Sequence, residues 1–237
     1  MERLDKIIAN RGIASRREVK ELVRQGRVLV DGLPAAEPDI KLSPETAVIM
    51  VDGVAVSGER HQYLLLHKPA GVLTATEDKR QSTVLDLLPE GVRRRGLAPV
   101  GRLDKDTEGL LLLTDDGELT HRLLSPKYHV DKVYYARVNG TPDEEDAAAF
   151  AAGLLLEDGL QCLPAGLEPL GPGECRVTLR EGKFHQVKRM LAARGKPVLY
   201  LKRLSMGPLR LDEDLMPGHC RPLTAEELSA LKRVCGL

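Results

Sequence analysis

One segment, GRLDKDTEG, carries the densest run of polar side chains in the chain. It lies between the apolar runs LAPV and LLLLTDDG, which are typical of buried strands, so we expect a loop that is held rigid at both ends. An ionised aspartate beside Arg102 or Lys105 would keep its charge and could act as a nucleophile. A solvated charged turn is the alternative. From the residues alone, three carboxylates qualify equally for the reactive role: Asp104, Asp106 and Glu108.

A second polar group, EGKFHQVKRM, lies at the start of a helix that the apolar spacing predicts over residues 184–194. Unpaired N–H groups at a helix start favour phosphate. His185, Lys188 and Arg189 lie on neighbouring faces of that helix because they are three and four residues apart. For His185, a partly buried, hydrogen-bonded histidine is an equally good interpretation.

Several catalytic motifs are absent from the sequence. It has no GxxxxGK[ST], GxGxxG, HExxH or GxSxG pattern, which weighs against nucleotide hydrolysis, dinucleotide-dependent redox chemistry and zinc hydrolysis. The four cysteines form no CxxC pair, so we expect reduced thiols and no metal site. The chain lacks a signal core and a run of membrane-helix length, which predicts a soluble, cytoplasmic protein with no membrane partner.

The total charge conceals an uneven distribution. The 237 residues contain 35 Lys and Arg and 35 Asp and Glu, a balance that by itself argues against nucleic acid as a partner. Yet residues 1–30 hold eight bases and four acids, and residues 176–210 hold ten bases and one acid, whereas residues 141–175 hold eight acids and no base. Local fields of this kind attract a polyanion, unless the opposite blocks pair within the fold. Aromatic residues make up only 3% of the chain, so a broad base-stacking surface is not expected.

The N-terminal residues predict a small module of their own. Leu4, Ile7 and Ile8 have helical spacing, and Ser15 and Glu18 have the spacing of a capping box that begins a second helix. Two short strands and a polar linker follow, at residues 27–30, 47–51 and 57–62.

From residue 63 onward, strand-like runs alternate irregularly with helices. The predicted strands cover residues 63–67, 97–100, 109–114, 132–139, 174–180 and 197–204. Capping boxes at Thr141–Glu144 and Thr224–Glu227 predict two further helices, and Asn139-Gly140 predicts a hairpin turn. Strand alternation places one of Tyr134 and Tyr135 inward and the other outward.

These patterns predict an α+β protein. Residues 1–56 form the small module, residues 57–62 the linker, and residues 63–237 a larger domain on a mainly antiparallel mixed sheet flanked by helices.

The motifs resemble those of known families. ASRREVKELVRQGRVLVDG and the RLDK before it resemble the S4 RNA-binding module. GRLDKDTEGLLLLTDDG resembles the central motif of the ribosomal RNA pseudouridine synthases, and EGKFHQVKRM, KRLSMGPLRL and PGHCRPLTAEEL resemble their closing motifs. The likeness covers nearly the whole chain in family order, and HQVKRM with LMPGHCRPLT is most similar to the members that act on small-subunit, 16S rRNA.

The resemblance implies roles for individual residues. Asp104 stands at the family's catalytic aspartate, and Lys188 at a basic residue that pairs with it. Tyr134 matches the active-site tyrosine, and Arg102 the arginine that fills the gap left by a flipped nucleotide. Leu204 aligns with an apolar residue that packs against uracil. The expected RNA contacts are Arg3, Lys6, Arg16, Arg17, Lys20, Arg27, Lys183, His185, Gln186 and Arg189.

The implied activity is isomerisation of uridine to pseudouridine in rRNA, without cofactor or metal. The expected partner is ribosomal RNA or a pre-ribosomal subunit, and we expect a monomer. Three alternatives stay open: a synthase that acts on 23S rRNA, a non-catalytic S4-type RNA-binding assembly factor, and a hydrolase that uses the three carboxylates with a divalent ion.

Overall fold

The computed structural model describes residues 1–44, 46–56, 61–89, 92–93 and 96–237. The chain divides into two compact units, Met1–Gln62 with Glu90–Leu97, and Tyr63–Pro89 with Ala98–Leu237. Residues 57–60 of the expected linker lie outside the described residues. The domain boundaries therefore stay a prediction.

Two short helices form one side of the first unit. Helix α1 is Leu4–Asn10 and helix α2 is Arg16–Arg24. The capping box of α2 is present as predicted: the Ser15 hydroxyl accepts from the Glu18 N–H, and the Glu18 carboxylate accepts from the Ser15 N–H. The core of this unit contains Leu4, Ile7, Ile8, Val19, Val23, Val28, Ile49 and Val51.

Short strands complete the first unit. They are β1 (Glu2–Arg3), β2 (Val28–Val30), β3 (Leu33–Pro34), β4 (Lys41–Leu42), β5 (Ile49–Val51) and β6 (Val54–Ala55). Strand β1 pairs with β4, and the other four form a sheet in the order β3-β2-β5-β6. Asp31 and Gly32, between β2 and β3, both have positive φ, at 51° and 84°, as a tight hairpin turn requires.

One large mixed sheet organises the second unit. Its strands are β7 (Tyr63–Lys68), β8 (Ala98–Pro99), β9 (Glu108–Thr114), β10 (Lys132–Val138), β11 (Gly166–Gly171), β12 (Glu174–Leu179), β13 (Val198–Met206), β14 (Leu209–Arg210) and β15 (Cys220–Pro222). The main order is β11-β12-β10-β13-β9-β7-β15. Among the strands described, every pairing is antiparallel except that of β9 with β13. The predicted α+β class with a mainly antiparallel sheet is confirmed.

Helices flank this sheet. They are α3 (Gly117–Leu124), α4 (Glu144–Ala152), α5 (Gln186–Ala193) and α6 (Ala225–Val234), with a 3₁₀ turn at Pro126–Tyr128. The buried core between sheet and helices includes Leu65, Leu110, Leu112, Leu119, Leu123, Met206 and Leu231. In the part of the chain that the structure describes, no helix has both the length and the hydropathy to cross a membrane.

Two local predictions are wrong. Asn139-Gly140 is not a hairpin turn, because β10 is a central strand between β12 and β13, and the chain leaves the sheet for α4. The capping box of α4 is displaced from the predicted one: Asp143 is the N-cap and exchanges hydrogen bonds with Asp146. An acidic run offers several overlapping boxes, and local spacing alone does not select one.

Candidate active site

Strands β8 and β9 hold the GRLDKDTEG loop at its two ends. Before the loop, the Val100 N–H donates to the Leu112 carbonyl at 2.8 Å, which fixes the chain to β9. Within it, the Thr107 N–H donates to the Asp104 carbonyl at 3.1 Å and closes a turn. Strand β9 begins at the next residue, Glu108. Asp104 is therefore presented on a short turn between the half-buried β8 and the buried β9.

Lys68 supports this turn from the end of β7. Its ammonium is fully buried and donates to the carbonyls of Pro69, Lys105 and Thr107 at 3.0, 3.2 and 2.9 Å. Burial lowers the pKa of Lys68 to about 8, against the opposing pull of the loop carboxylates. Sequence reasoning missed Lys68; its signal is a single lysine at the end of the apolar run YLLLHK.

Glu108 contacts a residue of the neighbouring strand β13. Strands β9 and β13 run parallel there, and a Cβ on Gly109, whose φ is +108°, would lie 2.2 Å from the Arg203 carbonyl oxygen. The backbones can therefore meet only at a glycine. The Tyr200 hydroxyl donates to the Glu108 carboxylate at 2.7 Å, and burial together with this bond raises the pKa of Tyr200. Glu108 thus has a structural partner.

Asp104 faces the start of α5. Its carboxylate lies 3.0 Å from the Lys188 ammonium and 3.4 Å from Nε2 of His185. Lys105, the neighbouring cation in the sequence, donates to the Gln81 side chain at 2.7 Å instead. The side chain of Asp104 is 27% exposed. The ion pair with Lys188 is therefore partly shielded from water.

Asp106 binds the Lys188 ammonium from the solvent-exposed side. Its carboxylate lies 2.5 Å from Lys188 Nζ, and its side chain is 74% exposed. The hydrogen bond from Lys188 holds the pKa of Asp106 below its usual range. Burial by itself would lower the pKa of Lys188, but the hydrogen bonds to Asp106 and Asp104 outweigh it and raise that pKa. Lys188 therefore stays protonated at neutral pH.

An open cleft of about 70 Å³ surrounds Asp104. Tyr134 on β10 lines it and is almost buried, while Tyr135 packs edge-on against Tyr200 at 6.2 Å, as strand alternation predicts. The lining residues are Arg102, Leu103, Asp104, Thr107, Tyr134, Leu179, Gly182, Lys183, His185, Gln186, Val187, Lys188 and Leu201. The cleft therefore combines one carboxylate, several cations and a tyrosine with an apolar floor.

The segment before α5 is fixed by buried hydrogen bonds. Gln186 donates to the Glu181 carboxylate and accepts from the Lys183 N–H, and Glu181 also accepts from the Leu163 N–H. His185 has left-handed backbone angles, φ 49° and ψ 31°, so α5 begins at Gln186, two residues later than predicted. Gln186, expected to contact RNA, is buried and holds this turn together while it lines the cleft.

The other expected site residues of this unit are placed as follows. Arg102 lines the cleft. Lys183 also lines it and donates to the Gln161 carbonyl. The Arg189 guanidinium lies 2.5 Å from Asp158. Leu204 on β13 is expected to pack against uracil, but it is not among the cleft-lining residues of the described range 96–237. Leu201 of the same strand does line the cleft.

Several expected RNA contacts of the first unit form ion pairs. Arg3 and Arg16 both bind the fully buried carboxylate of Asp5 at 3.0 Å, and Arg27 binds Asp52. Burial raises the pKa of Asp5, but the two guanidinium groups outweigh this effect and lower it. Lys6 lies 3.8 Å from Glu2.

Arg17 and Lys20 are the exposed cations of α2 without an ion pair within the described residues. Lys20 also lines a shallow cleft with Arg3 and Arg24.

Metal ligands do not gather at this site. Within the described ranges, the structure contains no group of three His, Cys, Asp or Glu side chains that could hold a metal ion. Asp104 and Asp106 both pair with Lys188, and Glu108 accepts from Tyr200, so these three carboxylates are engaged by protein groups and form no ligand set for the metal-dependent hydrolase in that part of the chain.

Two known families match this chain. A family described as RNA pseudouridylate synthase matches residues 62–193, and one described as S4 domain matches residues 2–48. The first match includes both polar segments that build the cleft.

Proteins with known names match almost from end to end. An uncharacterized RNA pseudouridine synthase of Bacillus subtilis is 48% identical and covers 97% of this chain and 98% of its own length. The ribosomal small subunit pseudouridine synthase A of Pseudomonas aeruginosa is 42% identical over 97% of this chain and 100% of its own, and that of Escherichia coli is 40% identical over 97% and 99%. A crystal structure of a pseudouridylate synthase superimposes with a TM-score of 0.68 at 36% identity, over 98% of this chain and 100% of the other.

Proposed function

The chain belongs to the RNA pseudouridylate synthase family, and we propose that it converts a specific uridine of small-subunit, 16S ribosomal RNA to pseudouridine. The observation that carries the proposal is the pairing of Asp104 with Lys188 at 3.0 Å inside a cleft that Arg102 and Tyr134 also line. The choice of 16S rRNA is supported by the full-length relatives named ribosomal small subunit pseudouridine synthase A.

The reaction is an isomerisation, and the cleft holds the groups that it needs. The bond between N1 of uracil and C1′ of ribose breaks, the uracil turns within the cleft, and C5 bonds to C1′. C5 then loses its proton while N1 gains one, so no atom is added or lost. Asp104 supplies the negative charge or nucleophile, and Lys188 pairs with it. Tyr134 stacks on the uracil and assists removal of the C5 proton.

A uridine in folded RNA must leave its base stack to reach Asp104, at a cost of a few kcal/mol. Arg102, at the cleft, fills the gap that the flipped nucleotide leaves. Contacts of the RNA backbone with the cations of the S4 domain and of the cleft offset the cost. We expect the enzyme to act as a monomer in the cytoplasm, on rRNA or a pre-ribosomal subunit.

The test is release of tritium from 16S rRNA labelled with 5-tritiated uridine, alone or bound to small-subunit proteins. Asp104→Asn keeps the shape of the side chain but removes its charge, so we expect release to stop while RNA affinity stays within a few-fold. The matched variant Asp106→Asn alters the more exposed carboxylate of the same turn and is expected to keep most of the release.

An active Asp104→Asn variant, or a wild-type protein that binds rRNA and releases no tritium, would refute the proposal. The second result would favour an assembly factor. Loss of activity in EDTA would favour the metal-dependent hydrolase. Mapping pseudouridine in 16S and 23S rRNA from a strain that lacks the protein identifies the substrate RNA.

A further inference from the structure

Phe184 is an exposed aromatic residue at the mouth of the cleft. The chain has two phenylalanines and no tryptophan. Phe150 is fully buried, as usual for this residue type, whereas Phe184 is 75% exposed. A single exposed apolar side chain is ordinary on a protein surface. The surroundings of Phe184, however, give it a specific geometry.

The ring of Phe184 stacks on the imidazole of His185. The two ring centroids are 3.8 Å apart and the planes differ by 19°. His185 in turn lines the cleft, with Nε2 3.4 Å from the Asp104 carboxylate. The two rings therefore form a stack: His185 lies beside the catalytic carboxylate, and Phe184 covers one face of His185 while most of its own ring is in solvent.

The backbone holds this stack in place. The left-handed conformation of His185 is uncommon for a residue other than glycine and costs free energy. Gln186 secures the turn around Phe184 and His185: it donates to Glu181 in a buried hydrogen bond and accepts from the Lys183 N–H in a half-buried one. Such a backbone persists where the surrounding structure enforces it, which points to a functional use of the two rings.

Two cations lie along the chain on either side of the rings. Lys183 precedes Phe184 and Lys188 follows His185 by three residues, and both line the cleft. Each also forms an ion pair, Lys183 with the buried Glu181 at 3.2 Å and Lys188 with the loop carboxylates. A ring surface flanked by cations binds bases through stacking and the backbone through charge.

We propose that Phe184 and His185 form a stacking platform for the unpaired nucleobase next to the target uridine. The inference rests on the proposed function, because a uridine flipped toward Asp104 brings its neighbour to the mouth of the same cleft. It defines the substrate as RNA whose target uridine has an unstacked neighbour. Stacking on an aromatic face tolerates any base, so the platform adds affinity and not sequence choice.

The test compares variants of Phe184 that separate ring stacking from apolar contact. Phe184→Ala removes the side chain, Phe184→Leu keeps an apolar one, and Phe184→Trp keeps an aromatic face. KM and kcat for tritium release from labelled 16S rRNA are measured for each, together with affinity for the same RNA by filter binding. Met216→Ala is the matched control, since Met216 is 63% exposed and lies outside the cleft lining of the described residues.

We expect KM and the dissociation constant to rise about 5- to 100-fold for the Ala and Leu variants and to stay within about twofold of wild type for the Trp variant and the control. The platform would be overturned if Phe184→Leu had the same KM and dissociation constant as Phe184→Trp, or if Phe184→Ala had those of wild type. An effect on protein-bound rRNA that is absent on naked rRNA would indicate a protein contact and also overturn it. If the wild-type protein releases no tritium, the proposed function is refuted instead. The dissociation constants of the Phe184 variants would then still show whether the stacking platform exists.

Discussion

Lys68 is a buried cation whose three hydrogen-bond partners are backbone carbonyls. Burial lowers its pKa from the usual 10.5 to about 8. Between these two values the unfolded chain binds more protons than the native protein, so the stability of the native state rises with pH. Lys68 makes its full contribution to the stability of the native state above its pKa in the unfolded chain, and that contribution is lost as the pH falls through about 8.

We therefore expect the stability difference between wild type and Lys68→Met to be larger near pH 9.5 than near pH 7, by about 1–2 kcal/mol. Urea unfolding at the two pH values measures it. Lys79→Met, which alters an exposed lysine, should show no such pH dependence. The same difference at both pH values for Lys68→Met would contradict the expectation.

Spacing along the chain leaves the three carboxylates of the loop equivalent, and contacts between residues far apart in sequence distinguish Glu108 from the other two. Tyr200, which binds Glu108, is 92 residues away, and Lys188, which binds Asp106 as well as Asp104, is 82 residues from Asp106. The family resemblance, which the comparisons confirm, selected Asp104 because it carries tertiary information that spacing lacks. Lys68 was missed for the same reason: its acceptors are backbone carbonyls, which no sequence motif shows.

At the scale of elements, the parallel meeting of β9 and β13 depends on Gly109. An alanine there would combine an unfavourable φ of +108° with a Cβ 2.2 Å from the Arg203 carbonyl. We expect Gly109→Ala to lower the free energy of unfolding by about 2–4 kcal/mol, because the two backbones would have to separate.

Gly71→Ala is the control for that substitution, since Gly71 has a φ of +87° and open space around it. Its loss should be about 1 kcal/mol, from backbone strain alone. Denaturant unfolding of both variants gives the comparison. Equal losses would show that the close approach of β9 and β13 is unimportant.

The starts of α2 and α6 depend on residues close in sequence and were predicted correctly. The start of α5 and the edge strand β11 depend on tertiary contacts and were not. The capping boxes at Ser15 and Thr224 are present because capping involves residues three apart. The predicted start of α5 is two residues too early because apolar spacing continues through Phe184. In the structure His185 has left-handed backbone angles, and Gln186 accepts from the Lys183 N–H across this turn. Strand β11 is absent from the predicted strands because Pro169 interrupts its strand pattern. The structure accommodates this proline because β11 lies at the edge of the sheet.

At the scale of the whole molecule, part of the charge separation along the chain is internal pairing. Four cations of the basic block 176–210 bind acids of the acidic block 141–175: Arg176 with Glu168, Arg189 with Asp158, and Arg194 and Lys196 with Asp146. The field that this block offers to RNA is therefore weaker than its sequence charge. The cations at the cleft are also paired, Lys183 with Glu181 and Lys188 with Asp104 and Asp106.

The exposed cations of α2 should contribute to RNA binding through counterion release. We expect Arg17→Gln with Lys20→Gln to reduce the slope of log affinity against log salt by about 1–2, with tritium release at saturating RNA unchanged. Filter binding of 16S rRNA over a salt series measures the slope. Arg233→Gln on α6 is the control and should leave it unchanged. An unaltered slope in the double variant would remove α2 from the RNA-binding surface.

The pairing of β9 with β13 also has a consequence for how the protein folds. The contacts of the loop and β9 with α5 and β13 span 82 to 93 residues of chain, and the entropy of closing such loops must be overcome before any of them forms. The caps and hairpins of the first unit close over only a few residues. Lys188 on α5 reaches the loop across 82 residues, so we expect the reactive centre to form after these local elements.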